Sequence, residues 1–194
     1  SSLSHVSAIL LGLFSLNLTG YTGAMFQMIS HGVVIFGLFL SLGLLRQRQT
    51  SFELADLGGL AQTYPYLAIV FFIMTLGAVA LPGTNGFPGE LMIIVGSFAA
   101  QKGPALLAVI TMVLAAAYML KAYQGSMFGQ IKNAGKGRDL DRKELLIATF
   151  LIIAVLGLGI FPNLMLHNSQ KSIDLTISDI ARRSPNAAAK FSCH

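Results

Sequence analysis

The chain has 194 residues, 54% hydrophobic and only 11% charged, with a mean hydropathy of +0.69. Soluble domains carry about 25% charged residues, so the composition excludes a globular enzyme with a large core and fits one integral membrane domain. The single cysteine, Cys193, excludes an intrachain disulfide framework and a CxxC metal site. The net charge of +5 sits in loops and tail rather than on a basic face interleaved with aromatics, which excludes a nucleic-acid footprint.

The chain opens on Ser1 without a basic n-region or a small-residue cleavage site. Its first apolar run, 2–18, carries His5 and starts as if inside a helix, so the chain is expected to be the C-terminal part of a longer protein. Thr19–Gly23, TGYTG, reads as a turn. The second run, 24–45, is 22 residues and about 33 Å as a helix, and it carries Gln27, Ser30 and His31. The stretch 46–64 is polar and mixed. Within it Phe52, Leu54, Leu57, Leu60 and Ala61 have the spacing of a short helix lying at the interface.

Pro65–Ala100 is apolar over 36 residues, too long for one span of roughly 20. It is broken where Pro82, Gly83, Gly86, Pro88 and Gly89 cluster. Two half-helices are predicted, 65–81 and 87–101. Glu90, just past the break, is the only acidic residue between Asp56 and Asp139. Irregular backbone at membrane depth survives only where protein or a water-filled cavity covers it, and broken helices mark ion paths in transporters. The same Pro-Gly cluster also suits an extramembrane hairpin, with Glu90 at the interface as a first-turn acid favoured by the helix dipole. Spans follow at 104–129 and 144–161, separated by a hydrophilic loop. The tail, 163–194, has Ile173, Ile177 and Ile180 at the spacing of a surface amphipathic helix.

The expected fold is therefore all-α and integral to the membrane, with about five transmembrane helices, one of them discontinuous. The loops 46–64 and 130–143 share a side. They carry Arg46, Arg48, Lys132, Lys136, Arg138, Arg142 and Lys143 against Lys102 alone on the opposite short loops. The positive-inside rule puts them on the cytoplasmic side.

Four ionisable residues lie within apolar segments: His5, His31, Glu90 and Lys121. Each is costly at the bilayer centre, at least roughly 2.5–3.5 kcal/mol for a charge, and histidine titrates near neutral pH. Together they are candidates for a proton relay. Plainer readings stand beside this one: a hydrogen-bonded packing role for His31, a neutral contact among serines for His5, and snorkelling to the interface for Lys121. No GxGxxG, HExxH or Gly-rich phosphate loop occurs, so cofactors are expected in other chains.

SSLSHVSAILLG, QMISHGVVIFGLFLSLGLLRQR, LGGLAQTYPYLAIVFFIMTLGAVALPGTNGFPGEL and AAAYMLKAYQGSMFG, in that order, resemble the C-terminal half of the subunit M (subunit 4) family of NADH–quinone oxidoreductase. These are antiporter-like membrane subunits of respiratory complex I. The resemblance covers the chain to about Pro162 and implies the second half of a fourteen-helix subunit built of inverted repeats. It implies that Glu90 is the acid of the broken helix and that His5 and His31 belong to the polar axis leading to it. Lys121 matches no fixed position, and Pro88 departs from the pattern before the Gly-Glu pair. The implied activity is proton translocation through an exit-side half-channel, coupled to quinone reduction elsewhere in the complex. NADH, FMN, iron–sulfur clusters and quinone are implied in partner subunits, and no metal or cofactor in this chain. The implied partners are lipid, neighbouring antiporter-like subunits and a chain carrying the upstream half. The implied location is the bacterial inner, mitochondrial inner or thylakoid membrane. The alternatives are a multisubunit cation/proton antiporter, a membrane hydrogenase, or a structural protein that has lost pumping; the Gly-Glu pair favours the complex I subunit.

Overall fold

A computed structural model describes residues 1–49, 57–131 and 138–166, and Thr176. Among these residues the regular structure is helical: α1 (Ser2–Phe14), α2 (Leu18–Arg48), α3 (Leu60–Thr63), α4 (Pro65–Ala78), α5 (Gly86–Ala100), α6 (Lys102–Met127) and α7 (Arg142–Ile160). Three of them, α2, α6 and α7, are long and apolar enough to cross a membrane. The shorter α4 and α5, about 21 and 22 Å long, are the two halves of the broken helix.

α2 is the post around which the others stand, with its broadest contact on α5, then α1 and α4. It begins at Leu18, so the TGYTG stretch expected as a turn is its first two turns. Asn17 explains the difference. Its side chain accepts the Gly20 N–H at 2.8 Å, capping the helix, and donates to the Gly96 carbonyl of α5 at 2.6 Å. The glycines here serve close packing, as small residues do between membrane helices. A Cβ on Gly23 would come within 2.8 Å of the Ile93 backbone nitrogen.

The two halves meet in an irregular connection, 79–85. Ala80 (φ 55°) and Gly83 (φ 97°) both adopt left-handed backbone there, a region that costs most residues other than glycine. Thr84 Oγ1 bonds the Leu81 carbonyl at 2.7 Å, and Asn85 Nδ2 reaches the Ser30 carbonyl of α2 at 3.1 Å. Asn85 and Thr84 are buried. The backbone at Gly83–Thr84 lies directly against Gly159 of α7, where no Cβ would fit. The Thr84–Asn85 part of the break is thus covered by protein, as backbone polar groups at membrane depth require, whereas Leu81, Pro82 and Gly83 are exposed. Pro88 falls in the first turn of α5, where its missing N–H is not needed.

One core cluster joins α2, α3, α4, α6 and α7 through Leu38, Leu60, Leu67, Met74, Tyr123 and Val155. A smaller one, Ile9, Ala24 and Ile93, lies between α1, α2 and α5. Leu57 and Leu60, expected on an interfacial helix, are buried in the larger core instead, and α3 spans only Leu60–Thr63. The rest of that expected helix, 52–56, and most of the expected amphipathic tail, including Ile173, Ile177 and Ile180, lie outside the described residues.

Candidate functional site

Glu90 occupies the first turns of α5, immediately beyond the break. His5 of α1 faces it: Nδ1 stands 2.9 Å from Oε1, with side chains 8% and 9% exposed. Gln27 Nε2 of α2 donates to the same oxygen at 3.3 Å. One turn further along α2, the His31 ring lies 5.0 Å from the His5 ring, centroid to centroid, and is half-buried. Three helices therefore bring His31, His5 and Glu90 into one line, with Gln27 beside the carboxylate.

The sequence dictates this arrangement locally. Gln27 and His31 are four residues apart and so share a face of α2. Gly89 lets that face approach α5, because a Cβ there would stand 3.0 Å from Gln27 Cβ. A small cavity, ≈ 10 Å³ at water-molecule centres, opens between His5, Gln27, Ser30, His31 and the Gly77–Ala78 end of α4. That is room for about one water. Four buried polar atoms in this region, His5 Nε2, Gln27 Oε1, Ser30 Oγ and Asn85 Oδ1, have no hydrogen-bond partner among the described residues. Buried polar groups are nearly always paired, so their clustering beside a water-sized cavity points to hydration.

The chemistry available is proton exchange. An imidazole with one nitrogen on a carboxylate and the other toward a polar cavity can accept a proton at one and release one at the other. One helical turn past His5, Gln27 and Glu90, toward the α1–α2 turn, the side chains become apolar. Ile9, Ala24 and Ile93 close on one another there, with Ile93 wholly buried.

Of the four candidates named from sequence, His5, His31 and Glu90 come together. Lys121 does not: it is exposed on α6 and does not line the cavity. Sequence reasoning missed Gln27 as a direct partner of Glu90, and Ser30 and Asn85 as polar neighbours. The i,i+4 spacing of Gln27 and His31 carried a signal for the first. Among the described residues, no group of three His, Cys, Asp or Glu could hold a metal ion.

Residues 1–115 match the family described as NADH:quinone oxidoreductase/Mrp antiporter, TM. The chain is 39% identical over 176 residues to NADH-quinone oxidoreductase subunit M of Rickettsia typhi, covering 90% of this chain and 36% of that protein. It is 38% identical over 175 residues to NADH-ubiquinone oxidoreductase chain 4 of Marchantia polymorpha, covering 89% and 35%. The chain thus spans about a third of the length of the curated relatives it matches. Among solved structures, a chain of respiratory complex I from Thermus thermophilus with bound NADH superposes with a TM-score of 0.79 at 35% identity, over 88% of this chain and 37% of that one. A chain of the Mrp complex from Dietzia sp. DQ12-45-1b shares the fold, with a TM-score of 0.76 at 24% identity over 85% and 39%. The chain belongs to the NADH:quinone oxidoreductase/Mrp antiporter transmembrane family.

Proposed function

We propose that this chain forms a proton-relay segment of an antiporter-like membrane subunit in a complex of the NADH:quinone oxidoreductase type. The observation that carries the reading is the buried His5–Glu90 contact at 2.9 Å, with the His31 ring 5.0 Å from the His5 ring and tilted to it. A proton arriving at His31 passes through the cavity to Nε2 of His5. His5 releases its Nδ1 proton to Oε1 of Glu90. Gln27 holds the carboxylate in place and stabilises its charged form by donating a hydrogen bond. Release toward the α1–α2 turn then requires Ile9, Ala24 and Ile93 to part, which makes them the barrier on that side.

The redox chemistry belongs to other chains. NADH, FMN, iron–sulfur clusters and quinone are partner-subunit components in this reading, and this chain contributes no electron-transfer group. Its partners are neighbouring antiporter-like subunits, the helices that its longer relatives have beyond this segment, and lipid. Its place is a bacterial or mitochondrial energy-converting membrane. The identities of 39% and 38% to subunits named for NADH–quinone and NADH–ubiquinone oxidoreductase favour this over cation/proton antiport.

Replacing Glu90 with Gln keeps size and hydrogen bonding and removes titration. In the assembled parent complex, quinone reduction should persist in part while proton pumping falls sharply, by about tenfold or more. Normal assembly with a wild-type proton-to-electron ratio would make the break an architectural joint.

A further inference from the structure

At the opposite end of α4 from Glu90, four chain segments are tied together by two carboxylates and one guanidinium. Arg48 is the last residue of α2. Its Nη1 donates to the Leu44 carbonyl at 2.9 Å, its Nε to the Arg138 carbonyl at 2.9 Å, and its Nη2 to the Asp139 carbonyl at 3.2 Å and to Glu144 Oε2 at 2.6 Å. Asp139 lies on the segment leading into α7, yet it caps a different helix. Oδ2 accepts the Tyr66 N–H at 2.7 Å, and Oδ1 accepts the Leu67 N–H at 3.2 Å and its neighbour's, Leu140, at 2.8 Å. Glu144 Oε2 also accepts the Asp141 N–H at 2.8 Å, completing the capping box of α7.

The electrostatics of the junction agree at every helix end. A cation sits at the C-terminus of α2, and carboxylates sit at the N-termini of α4 and α7. The first N–H groups of a helix have no intrahelical partner, and α4 has no side-chain cap of its own. Asp139 supplies what is missing from 73 residues away. Arg48 spreads its fork over its own helix, the segment before α7 and Glu144, a geometry that lysine cannot reproduce.

We infer that Arg48, Asp139 and Glu144 form a clasp that fixes α4 along its axis against α2, and thereby sets the position of Glu90 relative to His5 and Gln27. They are positioning residues, distant from the relay itself. The mechanical link is short. α4 is a rigid rod of about 21 Å. Its far end, Gly77–Ala78, lines the cavity beside His31, and from there the chain reaches the start of α5, which carries Glu90. A slide of α4 shifts the break and draws Glu90 from the side chains that hold it. The functional consequence rests on the relay reading above; the geometry itself does not.

The test is modification of Glu90 by dicyclohexylcarbodiimide in the purified parent complex, read by mass spectrometry of the Glu90 peptide. Asp139→Ala should raise the rate about tenfold, the scale of one lost hydrogen bond to a charged group. Asp139→Asn, which keeps one acceptor for the α4 N–H groups but turns the other oxygen into a donor, should raise it by less than Asp139→Ala does. Arg48→Lys should fall between wild type and Asp139→Ala. Wild-type reactivity in assembled Asp139→Ala overturns the clasp as a positioning device, and so does an Asn variant as reactive as the Ala one. Where Asp139→Ala fails to assemble, Arg48→Lys decides: unchanged reactivity there overturns the inference. Normal pumping by Glu90→Gln would sink the relay reading and leave this comparison valid, because the label reads where Glu90 sits.

Discussion

Glu90 is held by two side chains of different kinds, and they should fail differently. His5 meets it through a ring nitrogen that can carry a proton, whereas Gln27 only donates a hydrogen bond. Gln27→Leu preserves bulk and removes the donor while the Gln27–Glu90 site stays buried. Losing a hydrogen bond to a charged group is worth about 1.5–3 kcal/mol, so this variant should pump at reduced rate yet keep some coupling. His5→Leu removes the only titratable group touching Glu90 among the described residues and should abolish coupling. Proton uptake by reconstituted complex, at matched electron-transfer rate, separates the two. Equal losses would mean that both side chains merely pack. His5, His31 and Glu90 were visible in the sequence because an ionisable side chain in an apolar run is costly and stands out. Gln27 was visible only as a residue sharing the face of His31; its bond to Glu90 and the places of Ser30 and Asn85 were not, since an uncharged polar residue in a membrane helix is common and only its neighbours in space give it a role.

The broken helix was legible as an element for a related reason: proline and glycine act through local backbone chemistry, which needs no tertiary information. The same logic misled at Thr19–Gly23, where the glycines serve contact between α1, α2 and α5 and the helix runs straight through. What decided the matter was Asn17, whose bonds to Gly20 and Gly96 span 79 positions of sequence in the second case. Two outcomes follow from how tightly these helices meet. Gly89→Ala places a Cβ 3.0 Å from Gln27 Cβ, so α5 must back away from α2. Overpacking of this kind costs typically 1–3 kcal/mol, and thermal melting of the purified complex should register it together with a loss of pumping. Ile93→Ala, by contrast, thins the apolar barrier next to Glu90. Passive proton leak through resting complex in proteoliposomes should rise while electron transfer stays near normal. Leak at the wild-type level would place the barrier elsewhere.

At the scale of the whole molecule, the arrangement fixes which loops share a side, and charge then gives that side a name. Arg48, at the end of α2, pairs with Glu144 at the start of α7, and the Gly59 N–H bonds the Phe128 carbonyl at 3.1 Å. The segments after α2 and after α6 therefore meet at one end of the helices. Among the described residues that end carries Arg46, Arg48, Arg138, Arg142 and Lys143, and the short connections at the other end carry Lys102. Short basic loops are retained on the side from which helices insert, so this end should face the cytoplasm, matrix or stroma. With that orientation α5 should run from Glu90, in its first turns, toward the opposite surface, with Gln101 at its far end. Single cysteines placed at Ser51 and Asn133, in a background lacking Cys193, should react with an impermeant maleimide only when inside-out vesicles are used. A cysteine at Lys102 should show the reverse. Labelling of Ser51 and Asn133 from the outer surface would invert the chain in the membrane, and the proton would then reach Glu90 from the side on which it is here proposed to leave.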